Sequence, residues 1–242
     1  MRVALIVIGV VFSIFFLMHR CSQSRTSVGA MQSSPIEQRQ QALDQIILLQ
    51  PVKQYATKDY EELEQAANGV SQPSEVAATV KSTLWWKLRN IVEARADDEG
   101  QRLWSKAYLQ QLYDARNQGN CFPISFPLYS RTTVDDNRAL LQPSTQRQSA
   151  QALNYILTHH DGVRSKVDRM QAPEGWASVS ENLVRDYGDD ADLINAGETA
   201  KDKRRQCDVV ISTFEYMLAL PDGQQAQVIR WMLDRHISVA VF

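Results

Sequence analysis

His159, His160 and Asp161 are the densest group of chemically able side chains in this sequence. A metal site there needs a third or fourth ligand at suitable geometry. Neighbouring histidines on a helix point about 100° apart and seldom share an ion. Both fall at the end of an expected helix, where positive charge suits the dipole, so a structural or surface role is the expected one. His236 follows Met232 by four residues and Leu233 by three, and reads as a half-buried histidine on an apolar face. His159, His160 and His236 are therefore weak polar-site candidates only. Asp186, Asp189, Asp190, Asp192 and Glu198 could gather around calcium, but they lack the residue order of an EF-hand loop. A solvated acidic loop is expected.

Lys201, Lys203, Arg204 and Arg205 stand at the start of an expected helix, the wrong end for the dipole. A solvated face is the expected reading, with a phosphate, lipid headgroup or acidic partner as the sharper one. Cys121 and Cys207 are the only cysteines after Cys21, a pair compatible with one disulfide or with two buried thiols. Trp85 and Trp86 are adjacent on a helix, so both cannot face one core line. A tryptophan left off that line suits an interface, although burial in a multilayer bundle competes. No P-loop, G-x-S-x-G elbow, H-E-x-x-H or G-x-G-x-x-G is present. The sequence implies no cofactor and no metal.

The elements that position these residues are helical. Ile36, Leu43, Ile46, Ile47 and Gln50 mark a first helix that Pro51 should stop or kink. Thr57 is expected to cap a second, closed by Asn68 and Gly69. The strongest helix starts at Pro73, with Val76, Val80, Leu84, Leu88 and Ile91 on one face. Its partner, with Leu103, Ala107, Leu112 and Ala115 inward, should fold back on it as an antiparallel hairpin and end at Gly119. From Phe122 to Tyr129 apolar residues alternate with others, a period of two. Pro123 and Pro127 exclude this stretch from the centre of a sheet, so a short extended strap over residues 121–129 is expected. Further helices follow around 135–142, 144–160 and 174–187, and two more meet through Pro221-Asp222-Gly223. The apolar end, 237–242, is expected to dock on the body.

The fold class is thus mainly α: an N-terminal transmembrane helix and a multi-helix domain with one short extended segment. Residues 3–18 carry no charge and are predominantly apolar. Sixteen residues span roughly 24 Å against about 30 Å of hydrocarbon, and Arg2 and Arg20 can snorkel to make up part of the difference. A cleaved signal peptide competes, but the one passable site, at Ala30, lies far from the apolar core. Before Cys21 stand Met18, His19 and Arg20, where a lipidation signal needs small residues. The expected organisation is a signal-anchor at 1–20, a flexible linker at 21–35 and a helical domain at 36–242. Its halves, 36–118 and 134–242, would be joined by a strap at 119–133.

Formal net charge is −2 with both signs interspersed, which calls for no nucleic acid. The chain has no Asn-X-Ser/Thr acceptor, which fits a bacterial envelope better than a eukaryotic secretory route. The expected place is the inner membrane with the body in the periplasm, since a short charged N-terminal tail usually stays inside. Expected partners are the lipid bilayer through residues 3–18 and other membrane or envelope proteins. The favoured function is an accessory or scaffold subunit of an envelope-spanning assembly, such as a secretion, conjugation, pilus or lysis apparatus. The alternatives are an envelope enzyme with a site assembled from dispersed residues and an inhibitory, immunity-type binding protein.

Overall fold

The computed structural model describes residues 34–69, 73–159 and 170–234, and the chain there is mainly α-helical, with no strand among the described residues. The apolar run at 3–18 and the tail at 237–242 lie outside them. No described helix is long and apolar enough to cross a membrane.

The helices are α1 (Pro35–Asp44), α2 (Leu49–Tyr55), α3 (Thr57–Asn68), α4 (Pro73–Arg95), α5 (Asp98–Asn117), α6 (Phe122–Ser125), α7 (Val134–Ala139), α8 (Pro143–Thr158), α9 (Gln171–Tyr187), α10 (Lys203–Leu218) and α11 (Asp222–Asp234). Two 3₁₀ turns, Gly188–Asn195 and Gly197–Thr199, connect α9 to α10. Among the described residues the compact unit begins at Arg39.

Local chemistry sets the boundaries. Ser34 accepts from the Glu37 N–H while the Glu37 carboxylate accepts from the Ser34 N–H, a capping box that starts α1. Thr133 and Asp136 form a second one at α7. Asp97 accepts from the Gly100 N–H at 2.6 Å and opens α5. At the other end of α5, Gly119 adopts φ +97°, and the N–H groups of Asn120 and Gly119 bond back to the carbonyls of Ala115 and Arg116. That pair of bonds is a Schellman stop.

Several sequence expectations are corrected. Pro51 stops nothing: it sits in the first turn of α2, where a missing N–H deprives no carbonyl within the helix. Thr57 is the first residue of α3 rather than its cap, and its hydroxyl donates to the Lys53 carbonyl. The stretch 121–129 is not extended. It is the short helix α6 followed by a turn, with Phe126 N bonded to Phe122 O at 2.8 Å and Ser130 N to Phe126 O at 3.1 Å. Pro123 occupies its first turn, where proline is favoured. Pro123, Ile124, Ser125, Phe126 and Pro127 are all buried, so both phases of the alternation face inward and the period carried no information about conformation.

Helix pairing also departs from chain order. α4 and α5 meet at the corner Ala96–Asp97, yet α4 packs chiefly on α3 and α8, whereas α5 packs on α8, α10 and α11. The first buried cluster runs from Leu43 to Ala107 and takes in Ala152, Leu153, Ile156 and Leu157 of α8. The second joins Tyr108, Leu112 and Ala115 of α5 to α6, α9, α10 and α11. α5 is therefore the shared spine, contributing Trp104 and Ala107 to one cluster and its later turns to the other. Gly100 makes its contact with α8 possible: a Cβ there would lie 2.9 Å from Ile156 Cγ1.

Candidate functional site

On α4 the inward line Val80, Leu84, Leu88 and Ile91 is buried. Trp85 sits beside it at 5% exposure, and Trp86 turns outward at 47%. The rings meet edge to face, with centroids 4.4 Å apart and planes at 81°. The Arg89 guanidinium lies 5.4 Å from the Trp85 ring centroid and 5.6 Å from that of Trp86, within cation–π range of both. Arg89 is itself buried and donates to Glu93 at 2.5 Å. The buried ring, the guanidinium and the carboxylate thus fix the exposed indole in place. One residue further, Lys87 bonds to Glu62 and, at 3.3 Å, to Asp59. The Glu62 hydrogen bond raises the Lys87 ammonium above its ordinary range and lowers the Glu62 carboxyl in return.

Cys121 and Cys207 form a disulfide, with Cα atoms 5.7 Å apart. Both are fully buried. The bond joins the start of α6 to α10, and Ser125 Oγ donates to the Cys121 carbonyl beneath it at 3.1 Å.

The remaining candidates are not brought together. His159 caps the end of α8, its Nδ1 lying 2.9 Å from Thr158 Oγ1 and 3.1 Å from the Tyr155 carbonyl. Its ring stacks on Tyr155 at 4.3 Å. His160, Asp161 and His236 lie outside the described residues. Of the acidic group, Asp186 is engaged by Arg185 and Tyr216, and Asp190 by Arg205. Both contacts lower the Asp186 carboxyl, Arg185 the more strongly. Among the described residues no three metal-ligating groups converge.

The basic turn at α10 has inward partners. Asp202 caps the helix by accepting from the Arg205 N–H, and Arg205 lies over the Tyr187 ring. Lys203 donates to the carbonyls of Gly197 and Glu198 and lies 4.1 Å from the Phe122 ring centroid. These contacts account for Lys203 and Arg205 without an external anion, while Lys201 and Arg204 are exposed.

Sequence reasoning missed the buried polar residues. Lys81, 5% exposed, donates to the carbonyls of Ser130 and Thr132, both at 2.6 Å, and burial lowers its ammonium below the ordinary range. It fastens the connection after α6 onto α4. Gln101, Gln111, Gln206 and Gln225 are buried and each donates its side-chain N–H inward. The signal was present: Gln111 falls in register with Trp104, Tyr108 and Ala115, on the inward stripe of α5.

No family model, no curated protein and no solved structure matches this chain.

Proposed function

We propose that this chain is a membrane-tethered interaction subunit of a bacterial envelope assembly, acting through protein–protein contact. The carrying observation is Trp86, an exposed indole held in one orientation by Trp85 and Arg89. A large aromatic that is already ordered before binding is the residue type that dominates interfaces, because little side-chain entropy remains to be lost. The tether is residues 3–18, which would hold the domain at a membrane surface and raise its effective concentration for partners there. The Cys121–Cys207 bond supports a body outside the cytoplasm, since disulfides persist in oxidising compartments. Secretion, conjugation, pilus and lysis systems are the kinds of assembly such a subunit would serve.

The test places a photoreactive benzoylphenylalanine at Trp86 in the full-length chain and, as control, at the exposed Lys106 on α5. The expected result is a discrete protein adduct at position 86 that is missing at 106, and that competes with unsubstituted chain. No adduct at 86, or the same adducts at both positions, overturns the reading.

A further inference from the structure

Several helices converge on a half-open cavity of about 50 Å³ between the two buried clusters. Its apolar wall includes Ile46, Leu84 of α4, Ile124 of α6 and Val134 of α7. On the polar side stand Gln111 of α5, Asn137 and Arg138 of α7, and Gln146 and Ser149 of α8.

The polar groups fix what the cavity lacks. Ser149 donates its hydroxyl hydrogen to the Thr145 carbonyl at 3.0 Å, so its oxygen accepts from Gln111 Nε2 at 2.7 Å. With that donor–acceptor order the Gln111 nitrogen faces Ser149, and Ser149 is no donor to the oxygen. Gln111 is 1% exposed, and its Oε1 has no hydrogen-bond partner. Asn137, also in the wall, accepts from Thr132 and donates toward the Pro123 carbonyl. Arg138, the one charged residue in the wall, gives its guanidinium to the Gln45 carbonyl and to Asp135. Gln146, the last polar residue of the wall, donates from Nε2 to the carbonyls of Arg138 and Leu141, which leaves methyl groups around one buried acceptor without a donor, Gln111 Oε1.

A buried acceptor without a donor carries the desolvation cost of that group, and a void lined by methyls forfeits their contacts. Water would meet the first need and not the second. A bare hydrocarbon would meet the second and not the first. We propose that this cavity is a binding site for a small neutral molecule with a short branched aliphatic body and one hydroxyl or amide donor, the donor directed to Gln111 Oε1. A dry apolar cavity of roughly 150 Å³ takes benzene, so the ligand here is smaller, a few non-hydrogen atoms with one end toward solvent. The site is independent of the Trp86 face: Leu84 points into the body, and Trp86, two residues on, points out.

The probe is 2-propanol, smaller than benzene and the smallest branched alcohol, paired with 2-fluoropropane, which keeps the shape and removes the donor. Each is titrated into the full-length chain in lipid nanodiscs, and methyl and side-chain amide NMR shifts are followed. The expected result is saturable shifts at Leu84, Ile124, Val134 and the Gln111 amide, with the fluoride about tenfold weaker, the size of one hydrogen bond to a buried acceptor. Gln111→Met should bring the alcohol down to the level of the fluoride, and Val134→Phe should remove binding of both. The Val134→Phe sample also corrects for alcohol dissolved in the lipid. Shifts that never saturate, equal affinity for alcohol and fluoride, or a long-lived water at Gln111 that saturating alcohol leaves in place each overturn the proposal. The alcohol–fluoride comparison is made on the unaltered chain, so it holds even where a variant fails to fold.

Discussion

Trp85 and Trp86 are neighbours in sequence and opposites in environment, so the same truncation acts on different free energies. Trp85→Ala empties a buried volume and should cost about 3–5 kcal/mol of stability. Trp86→Ala loses an edge contact and part of a cation–π contact, about 1 kcal/mol. At an interface the same change should weaken association by about 2 kcal/mol, roughly thirtyfold. Urea unfolding and partner recovery separate the two, and a Trp86→Ala chain that recovers its partner unchanged removes the indole from the interface. The residue scale also predicts a pH dependence at Asp44, which accepts from Lys53 at 2.6 Å and Tyr60 at 2.9 Å. Those bonds, Lys53 first, hold its carboxyl below the ordinary value of 3.8. A depressed folded pKa contributes stability that is present above the unfolded value and lost as pH falls through the folded one. Asp44→Asn should therefore cost something near neutrality, under about 1 kcal/mol for so exposed a pair. The difference from the natural chain should shrink between about pH 4 and pH 2. Denaturant midpoints with a constant difference across that range would contradict it.

At the scale of elements, the long amphipathic helices were legible because their apolar period is read directly by burial: Leu84, Leu88 and Ile91 of α4, and Leu153, Ile156 and Leu157 of α8. The segment 121–129 was misread because a period of two is meaningful only where one face meets solvent, and here both faces are buried. Pairing was not legible either. Loop length suggested that α4 and α5 lie together, but nothing local specifies that α8, far along the chain, packs against both. Of the candidate interface, the off-line tryptophan could be argued from spacing. The guanidinium that steadies it stands three and four residues further along the same helix, a spacing the sequence also carries, whereas Gln111 in the cavity depended on which helices meet. Close helix approach yields a sharper test at Gly175 of α9, where a Cβ would stand 2.5 Å from Val228 Cγ2 of α11. Valine is stiff about χ1 and Val228 is fully buried, so Gly175→Ala should destabilise by about 1–3 kcal/mol through overpacking. Adding Val228→Ala should recover part of that loss. A double variant as unstable as the sum of the singles would mean that the two helices are not in this contact.

For the whole molecule, one covalent link ties the shared spine's second cluster together. The Cys121–Cys207 bond closes 86 residues of sequence, and within them lie α6, α7, α8 and α9. A loop of that length constrains the unfolded chain by about 4.6 kcal/mol on the chain-entropy account, a large share of the 5–15 kcal/mol that holds a typical domain folded. Reduction should therefore lower the urea midpoint with both sulfurs still buried, and Cys121→Ser with Cys207→Ser should reproduce the loss without reductant. The same bond bears on where the body resides. A thiol pair in a reducing cytoplasm stays reduced, whereas an exported domain acquires the bond. Whole cells quenched in acid, denatured and treated with a maleimide reagent report this directly. If the body is exported through residues 3–18, Cys121 and Cys207 should resist labelling until reductant is added. Replacing Val7 and Val10 with Arg in the apolar run should make both thiols reactive at once, by keeping the domain inside. With Cys21 replaced by Ser so that only this pair can react, thiols that label without reductant would place the body in the cytoplasm, and the Trp86 partner would then have to be sought there.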